Sequence, residues 1–117
     1  MEEFNVNMPI YLQIIQKIKQ SVASGKLEPG SRVPSVRDLA VKFSVNPNTM
    51  QRALSELERD GLMYTERTSG RYITGDGELI KNLRVELARE LSKSFTVQME
   101  NLGFSRTETQ KILMEEV

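Results

Sequence analysis

Two helix-start signals lie close together in the middle of this chain, and they leave room only for two short helices joined by a turn. Ser35 is followed three residues later by Asp38, which is typical of a capping box. Asn46 is followed by Pro47, whose fixed φ and missing N–H suit the first residue of a helix. With Gly61 as the stop, the sequence predicts one helix over 36–43 and a second from Pro47 to just before Gly61.

The second of these helices has two unlike faces. Its apolar residues recur at helical spacing, at Met50, Ala53, Leu54 and Leu57. Its opposite face carries hydrogen-bonding and basic residues, at Asn48, Gln51, Arg52, Ser55 and Arg59. The first turn carries side chains that end in an amide or a hydroxyl, whereas Glu56, Glu58 and Asp60 make the carboxyl half acidic.

The neighbouring segments predict a mainly α domain with a small β-hairpin. An earlier helix begins near Pro9, ends at Gly25 and carries apolar residues at Tyr11, Ile14, Ile15, Ile18 and Val22. The helix over 36–43 is expected to bury Val36, Leu39, Ala40 and Phe43. The segments LMYTE and RYIT favour strands, with a loop over 67–70 between them. Residues 9–74 therefore predict three helices followed by a hairpin.

A break at 75–77 divides the chain, and we expect one domain over 1–75 and a helical tail over 76–117. The tail has an apolar stripe at Ile80, Leu83, Leu87, Leu91, Phe95, Met99 and Leu102. That spacing predicts a helix of about six turns that ends at Gly103. Ser105 and Glu108 form another capping box, which predicts a final short helix.

Composition excludes several functions. The chain of 117 residues has no Cys, so neither a disulfide nor a Cys-based zinc site can form, and no His, the commonest general base and metal ligand. No acid–base pair stands out among the remaining residues, so we expect no enzymatic activity, cofactor or metal. No apolar run approaches the roughly 20 residues that span a bilayer, and the start MEEFNVN is unlike a signal peptide. A cytoplasmic protein without a membrane partner is expected.

Two helices joined by a short turn, the second with an exposed polar start, form the helix-turn-helix pattern, whose second helix enters the major groove of DNA. Asn and Gln can pair with adenine, Arg can pair with guanine or phosphate, and a helix start attracts phosphate. The acidic carboxyl half predicts that the helix enters end-on. The alternative is that these polar residues merely solvate the outer face of a core helix.

Basic residues in the hairpin and in the first short helix favour DNA. Arg67 and Arg71 flank a tip of small residues that includes Ser69 and Gly70, and such a tip can approach a DNA backbone closely. Arg37 is a further candidate for a phosphate contact. The alternatives are a solvated turn at the tip and a surface ion pair for Arg37.

The run KLEPGSRVPSVRDLAVKFSVNPNTMQRALSELERDGLMYTERTSGRYIT resembles the winged helix-turn-helix domain of GntR-type bacterial transcription regulators, and the resemblance covers residues 9–74. It implies that Arg37 binds backbone phosphate, that the start of the recognition helix contacts DNA, and that Gly70 is the wing-tip glycine. The predicted DNA-binding residues are Arg37, Asn46, Asn48, Thr49, Gln51, Arg52, Arg67, Ser69, Gly70 and Arg71. Many members have arginine where Pro47 and Gln51 stand, and a first wing glycine where Thr68 stands.

The tail after residue 75 is too short for the large ligand-binding domain that most GntR-type regulators carry. A two-helix tail resembles the YtrA-type branch, which implies dimerisation through the tail. The apolar stripe agrees with this, because a long helix with a continuous apolar side needs a partner surface. We therefore predict that the stripe from Ile80 to Leu102 forms the interface of a homodimer. The alternative is that the tail packs back on its own DNA-binding domain.

These inferences together predict a dimeric regulator that binds double-stranded operator DNA. Its two recognition helices would enter successive major grooves about 34 Å apart, so the operator would be an inverted repeat, and binding would most simply repress. The YtrA-type resemblance implies control of a transporter operon. A small-molecule effector is compatible with this scheme, although no residue pattern marks its pocket. The competing hypothesis is a winged-helix module that docks on protein, but Asn48, Gln51 and Arg52 are unlike the apolar face that docking would favour.

Overall fold

A computed structural model describes residues 7–116, so the ends of both predicted domains, at 1–6 and at 117, lie outside the described residues. The helices are α1 (Ile10–Ala23), α2 (Val36–Phe43), α3 (Pro47–Arg59), α4 (Gly77–Asn101) and α5 (Arg106–Glu116). The strands are β1 (Met63–Glu66) and β2 (Gly70–Ile73), which form a two-stranded sheet. The predicted fold class, mainly α with a small β-hairpin, is confirmed.

Local side-chain caps define the helix-turn-helix. The Asp38 N–H donates to Ser35 Oγ at 3.1 Å at the start of α2. The Asn48 N–H donates to Asn46 Oδ1 at 2.7 Å at the start of α3, with Pro47 as the first helical residue. Between the helices, Ser44 has a φ of 57°, in the left-handed region. This conformation ends α2 abruptly and lets α3 begin after a short turn.

Removing the Asn46 cap is expected to lower the free energy of unfolding by about 1 kcal/mol, because a backbone N–H at the start of α3 then loses its acceptor. Urea unfolding of Asn46→Ala measures this change. Asn46→Ser is the matched control, since serine also caps, and it should retain most of the stability. Equal stability of the alanine and serine variants would contradict the assigned cap.

The core of the first part of the chain lies beneath α3. The predicted apolar residues of α3 are all fully buried, at Met50, Ala53, Leu54 and Leu57. They pack with buried residues of α1 and α2, at Ile14, Ile15, Ile18, Val22, Leu39, Ala40 and Phe43. Tyr11 and Val36 belong to the predicted apolar stripes but are only half-buried. Each stands at the edge of the core, where one side of its side chain remains accessible.

The hairpin is anchored to the segment that precedes α2. Met63 pairs with Ile73 and Glu66 pairs with Gly70 across the antiparallel strands. The Ile73 N–H donates to the Ser31 carbonyl at 2.9 Å, and the Val33 N–H donates to the Arg71 carbonyl at 2.8 Å. The base of the hairpin is therefore fixed beside the start of α2.

The tail forms two helices, as its apolar spacing and its capping box predict. α4 has 25 residues, or about seven turns, and ends at Asn101 rather than at the predicted Gly103. At the start of α5, the Ser105 N–H donates to Glu108 Oε1 at 2.9 Å, and the Glu108 N–H donates to Ser105 Oγ at 3.1 Å. The backbone hydrogen bond, followed by that from the Ser105 side chain, lowers the pKa of the Glu108 carboxyl.

The chain forms two compact units, the first ending at Arg84 and the second beginning at Val85. The first contains α1 to α3, the hairpin and the start of α4, and the second contains the rest of α4 with α5. The division by function at residue 75 stays a prediction. Within residues 7–116, no helix has the length and apolarity that crossing a membrane requires.

Candidate nucleic-acid interface

The first half of α3 presents polar side chains to solvent. Asn46, Asn48, Gln51 and Arg52 are exposed, and Thr49 is half-buried. The Gln51 amide donates to Ser55 Oγ at 3.0 Å, one turn further along the same face. Because the opposite face of α3 is buried in the core, packing fixes the orientation of this polar face.

Arg52 is held by an aromatic ring of another helix. Its guanidinium carbon lies 3.7 Å from the centre of the Tyr11 ring, which belongs to α1. This distance is that of a cation–π contact. The sequence indicated Tyr11 as part of an apolar stripe and Arg52 as a DNA contact, and it carried no signal that the two would meet.

The acidic half of α3 is engaged by neighbouring residues of the protein. Glu56 Oε1 accepts a hydrogen bond from Arg59 Nη1 at 2.9 Å. Glu58 accepts a hydrogen bond from the Thr65 hydroxyl of β1 and lies 3.8 Å from Arg71 Nη2 of β2. Two of the three carboxylates therefore have cationic partners, and one of them connects α3 to the hairpin.

The two arginines that flank the hairpin tip differ in exposure. Arg67 and Ser69 are exposed at the tip. Arg71, which pairs with Thr65 next to the tip, has only 17% of its side chain exposed, and its Nε is buried without a hydrogen-bond partner in the described structure. Arg67 is therefore the more accessible of the two to an approaching molecule.

The backbone conformation of Gly70 requires glycine. Its φ of 119° is strained for any L side chain. In addition, a Cβ at this position would lie 3.2 Å from Arg32 Nε and Nη2. Arg32, which forms an isolated bridge with Tyr72, is an exposed residue that no sequence motif singled out.

A groove of about 580 Å³ lies between the start of α2 and the hairpin, and Arg32, Ser35, Gly70 and Arg71 are among its lining residues. Arg37 is exposed on α2, and nothing in the described range 7–116 forms an ion pair with it. The predicted site residues therefore fall into two clusters, one on the start of α3 and one at the hairpin, with Arg37 on the helix that precedes α3.

The apolar stripe of the tail is only partly covered within one chain. Leu83 is buried, and Ile80, Leu87 and Met99 are half-buried. Leu91 and Leu102 are 67% and 73% exposed, and Phe95 is 38% exposed. In the second unit, a groove of about 600 Å³ between α4 and α5 is lined by residues that include Phe95, Thr109 and Leu113.

Known proteins resemble this chain in sequence over most of its length. The model of the family described as bacterial regulatory proteins, gntR family, matches residues 10–73. YhcF of Bacillus subtilis (strain 168), an uncharacterized HTH-type transcriptional regulator, is 41% identical over 91% of this chain and 88% of its own. YtrA of the same organism, an HTH-type transcriptional repressor, is 48% identical over 56% of this chain and 51% of its own.

Solved structures show the same fold. A GntR family transcriptional regulator from Listeria monocytogenes has a TM-score of 0.86 and 38% identity, covering 97% of this chain and 99% of its own. The DNA-binding domain of AraR, solved in complex with operator ORR3, has a TM-score of 0.55 and 27% identity, covering 63% of this chain and 87% of its own. The resemblance seen in the sequence is confirmed: this chain belongs to the GntR family of bacterial regulatory proteins and is a helix-turn-helix DNA-binding transcriptional regulator, not an enzyme.

Proposed function

We propose that this chain is a repressor that binds an inverted-repeat operator in double-stranded DNA as a homodimer. The observation that carries the proposal is the polar face at the start of α3, which is exposed, capped and fixed in orientation by a fully buried opposite face. AraR, whose DNA-binding domain has this fold, was solved on operator DNA. YtrA is named a repressor.

Asn48 and Gln51 are the proposed base-reading residues, because both amides are exposed on one face and each can pair with adenine. Thr49 and Asn46, at the same helix end, would contact the neighbouring backbone through hydroxyl and amide groups. Arg52 supplies positive charge on that face. End-on entry is supported by the ion pairs of the acidic half, which hold Glu56 and Glu58 toward the protein's own residues.

The remaining proposed contacts flank the major groove. Arg37 would bind a backbone phosphate, and Arg67 with Ser69 would reach a minor groove from the hairpin tip. Gly70 would allow the backbone of the tip to approach closely. For Arg71, the low exposure favours a role in holding the hairpin to α3 through Glu58, with any phosphate contact made by the edge that faces the groove.

A second copy of the chain is the proposed cover for the tail stripe. Leu91, Phe95 and Leu102 lie exposed on one apolar face, and matching stripes from two copies would bury each other around a two-fold axis. Residues 1–75 would then bind DNA and 76–117 would pair the copies. The proposal also includes control of a transporter operon and response to a small-molecule effector. It includes a cytoplasmic location, because a DNA-binding regulator acts where the chromosome is.

The variant Arg37→Ala with Gln51→Ala tests the interface. It removes one phosphate contact and one base contact, so we expect operator affinity to fall by at least about 30-fold. Fluorescence anisotropy with a duplex from the chain's own upstream region measures the affinity. The matched control, Gln20→Ala with Lys26→Ala, also removes one amide and one cation from exposed positions but lies outside the proposed interface.

The result separates DNA binding from protein docking. Loss of affinity in the test variant, with the control and the dimer unchanged, supports the operator-binding proposal. Unchanged affinity in the test variant would contradict it and favour the module that docks on protein.

A further inference from the structure

Arg52 is the one cation of α3 that has no carboxylate partner. The helix, all of which lies within the described residues, has two cations, Arg52 and Arg59. Arg59 is paired with Glu56 at 2.9 Å. Arg52 instead lies against the Tyr11 ring, and its side chain is exposed. Its positive charge is therefore not neutralised within its own helix.

The kind of contact decides which part of the guanidinium stays available. A ring beneath the guanidinium uses its flat face and leaves the in-plane N–H donors unoccupied. An ion pair would instead use those donors. Glu56 stands four residues after Arg52, within reach on a helix, but its Oε1 already accepts from Arg59. Among residues 7–116, the Arg52 guanidinium forms no ion pair, so its in-plane donors stay open.

We propose that Tyr11 is a positioning residue for DNA binding: its ring holds the Arg52 guanidinium in place on the outer face of α3, with the in-plane donors directed to a pair of acceptors on the duplex. The inference rests on the proposed operator binding. Arg52 is then the arginine that serves the first half of this helix.

Ordering Arg52 before DNA arrives removes an entropic cost from binding. Immobilising a long side chain in an interface costs on the order of 1 kcal/mol. Loss of the ring in Tyr11→Leu should therefore weaken operator binding by about fivefold for each half-site that the dimer occupies. Tyr11→Phe keeps the ring and should change the affinity by less than about twofold. Arg52→Ala removes the donors themselves and should cost about tenfold or more.

A double-mutant cycle separates positioning from a general structural role. If Tyr11 acts through Arg52, then Tyr11→Leu should have almost no further effect in an Arg52→Ala background. Operator affinity of the wild type, both single variants, the double variant and Tyr11→Phe would be measured by anisotropy. Far-UV circular dichroism melts of the same five proteins show whether folding is retained.

Each outcome decides a distinct point. The inference is supported if Tyr11→Leu weakens operator binding only in proteins that contain Arg52, and if Tyr11→Phe binds with nearly wild-type affinity. An equal loss in both backgrounds, or no loss in Arg52→Ala, overturns the inference while operator binding by the wild type stands. A wild type that binds no operator defeats the proposed function and the inference with it. If Tyr11→Leu unfolds, unchanged affinity in Arg52→Ala would still overturn the inference, because alanine at an exposed helical position preserves the helix.

The acceptor on the duplex can be identified from the same variants. If Arg52 binds phosphate, Arg52→Ala should reduce the salt slope of binding by about two, one for each copy in the dimer, and weaken all sequences alike. If it binds the O6 and N7 atoms of guanine, the ratio of operator to nonspecific affinity should fall instead. Either pattern supports an Arg52 contact with the duplex, which the inference requires, and the absence of both overturns the inference.

Discussion

Leu91→Lys is expected to convert the dimer into a monomer and to weaken operator binding by more than about 100-fold, because linked binding to two half-sites adds that much to the affinity of one. Leu91 is 67% exposed in the single chain, so lysine there should not disturb the fold of the protomer. In a dimer, the same lysine would place a charge in an apolar interface. Sedimentation equilibrium and operator anisotropy measure the two effects.

Asn82→Lys is the matched control for this variant. It adds the same charge to the same helix at an exposed position outside the apolar stripe, and it should leave the dimer and the affinity unchanged. A Leu91→Lys protein that remains dimeric and binds the operator normally would contradict the tail interface. In that case, the alternative that the tail serves only its own chain gains support.

Leu54→Ala is expected to lower the free energy of unfolding by about 2–5 kcal/mol, the usual cost of the cavity that a buried leucine leaves behind. Leu54 has no exposed surface, and it lies in the stripe by which α3 packs on the core. Since a domain is stabilised by only about 5–15 kcal/mol, such a loss would consume much of the stability. Chemical denaturation of the dimer at fixed concentration measures it.

Val41→Ala provides the comparison, because Val41 lies on the neighbouring helix α2 with 75% of its surface exposed. Its loss should change the stability by no more than about 0.5 kcal/mol. If the two variants unfolded at similar denaturant concentrations, the assignment of α3 as the central helix of the core would be wrong.

The helices and their starts could be predicted from the sequence because their determinants are local. Asn46 caps α3 through a backbone N–H only two residues away. Ser105 and Glu108 satisfy each other within one turn of α5. Such signals lie within a few consecutive residues, so a single sequence is sufficient to identify them.

The contacts that shape the interface could not be predicted, because they join residues that are distant in the chain. Tyr11 meets Arg52 across two helices, and Glu58 meets Arg71 between α3 and β2. An arginine that looks available in the sequence can thus be stacked, like Arg52, or largely buried, like Arg71. The helical periodicity of a sequence predicts on which face of a helix a side chain lies, but it does not predict which distant residue that side chain contacts.

In the tail, too, the local structure could be predicted from the sequence and the contacts could not. The apolar spacing correctly predicted the long helix α4, since helical period is encoded in the residues themselves. It gave no information on which surface covers Leu91 and Leu102. That surface must be found by measuring association, which the Leu91→Lys experiment does.

Titration of the chain with a duplex from its own upstream region, at several salt concentrations, tests the central claim that the exposed start of α3 binds DNA. We expect tight binding at low salt and a linear fall of log affinity with log salt, with a slope of about −0.9 for each phosphate contact. Arg37→Ala removes one phosphate contact from each copy of the dimer, so it should make this slope shallower by about two. Binding that does not depend on salt, or no binding even at low salt, would contradict the account.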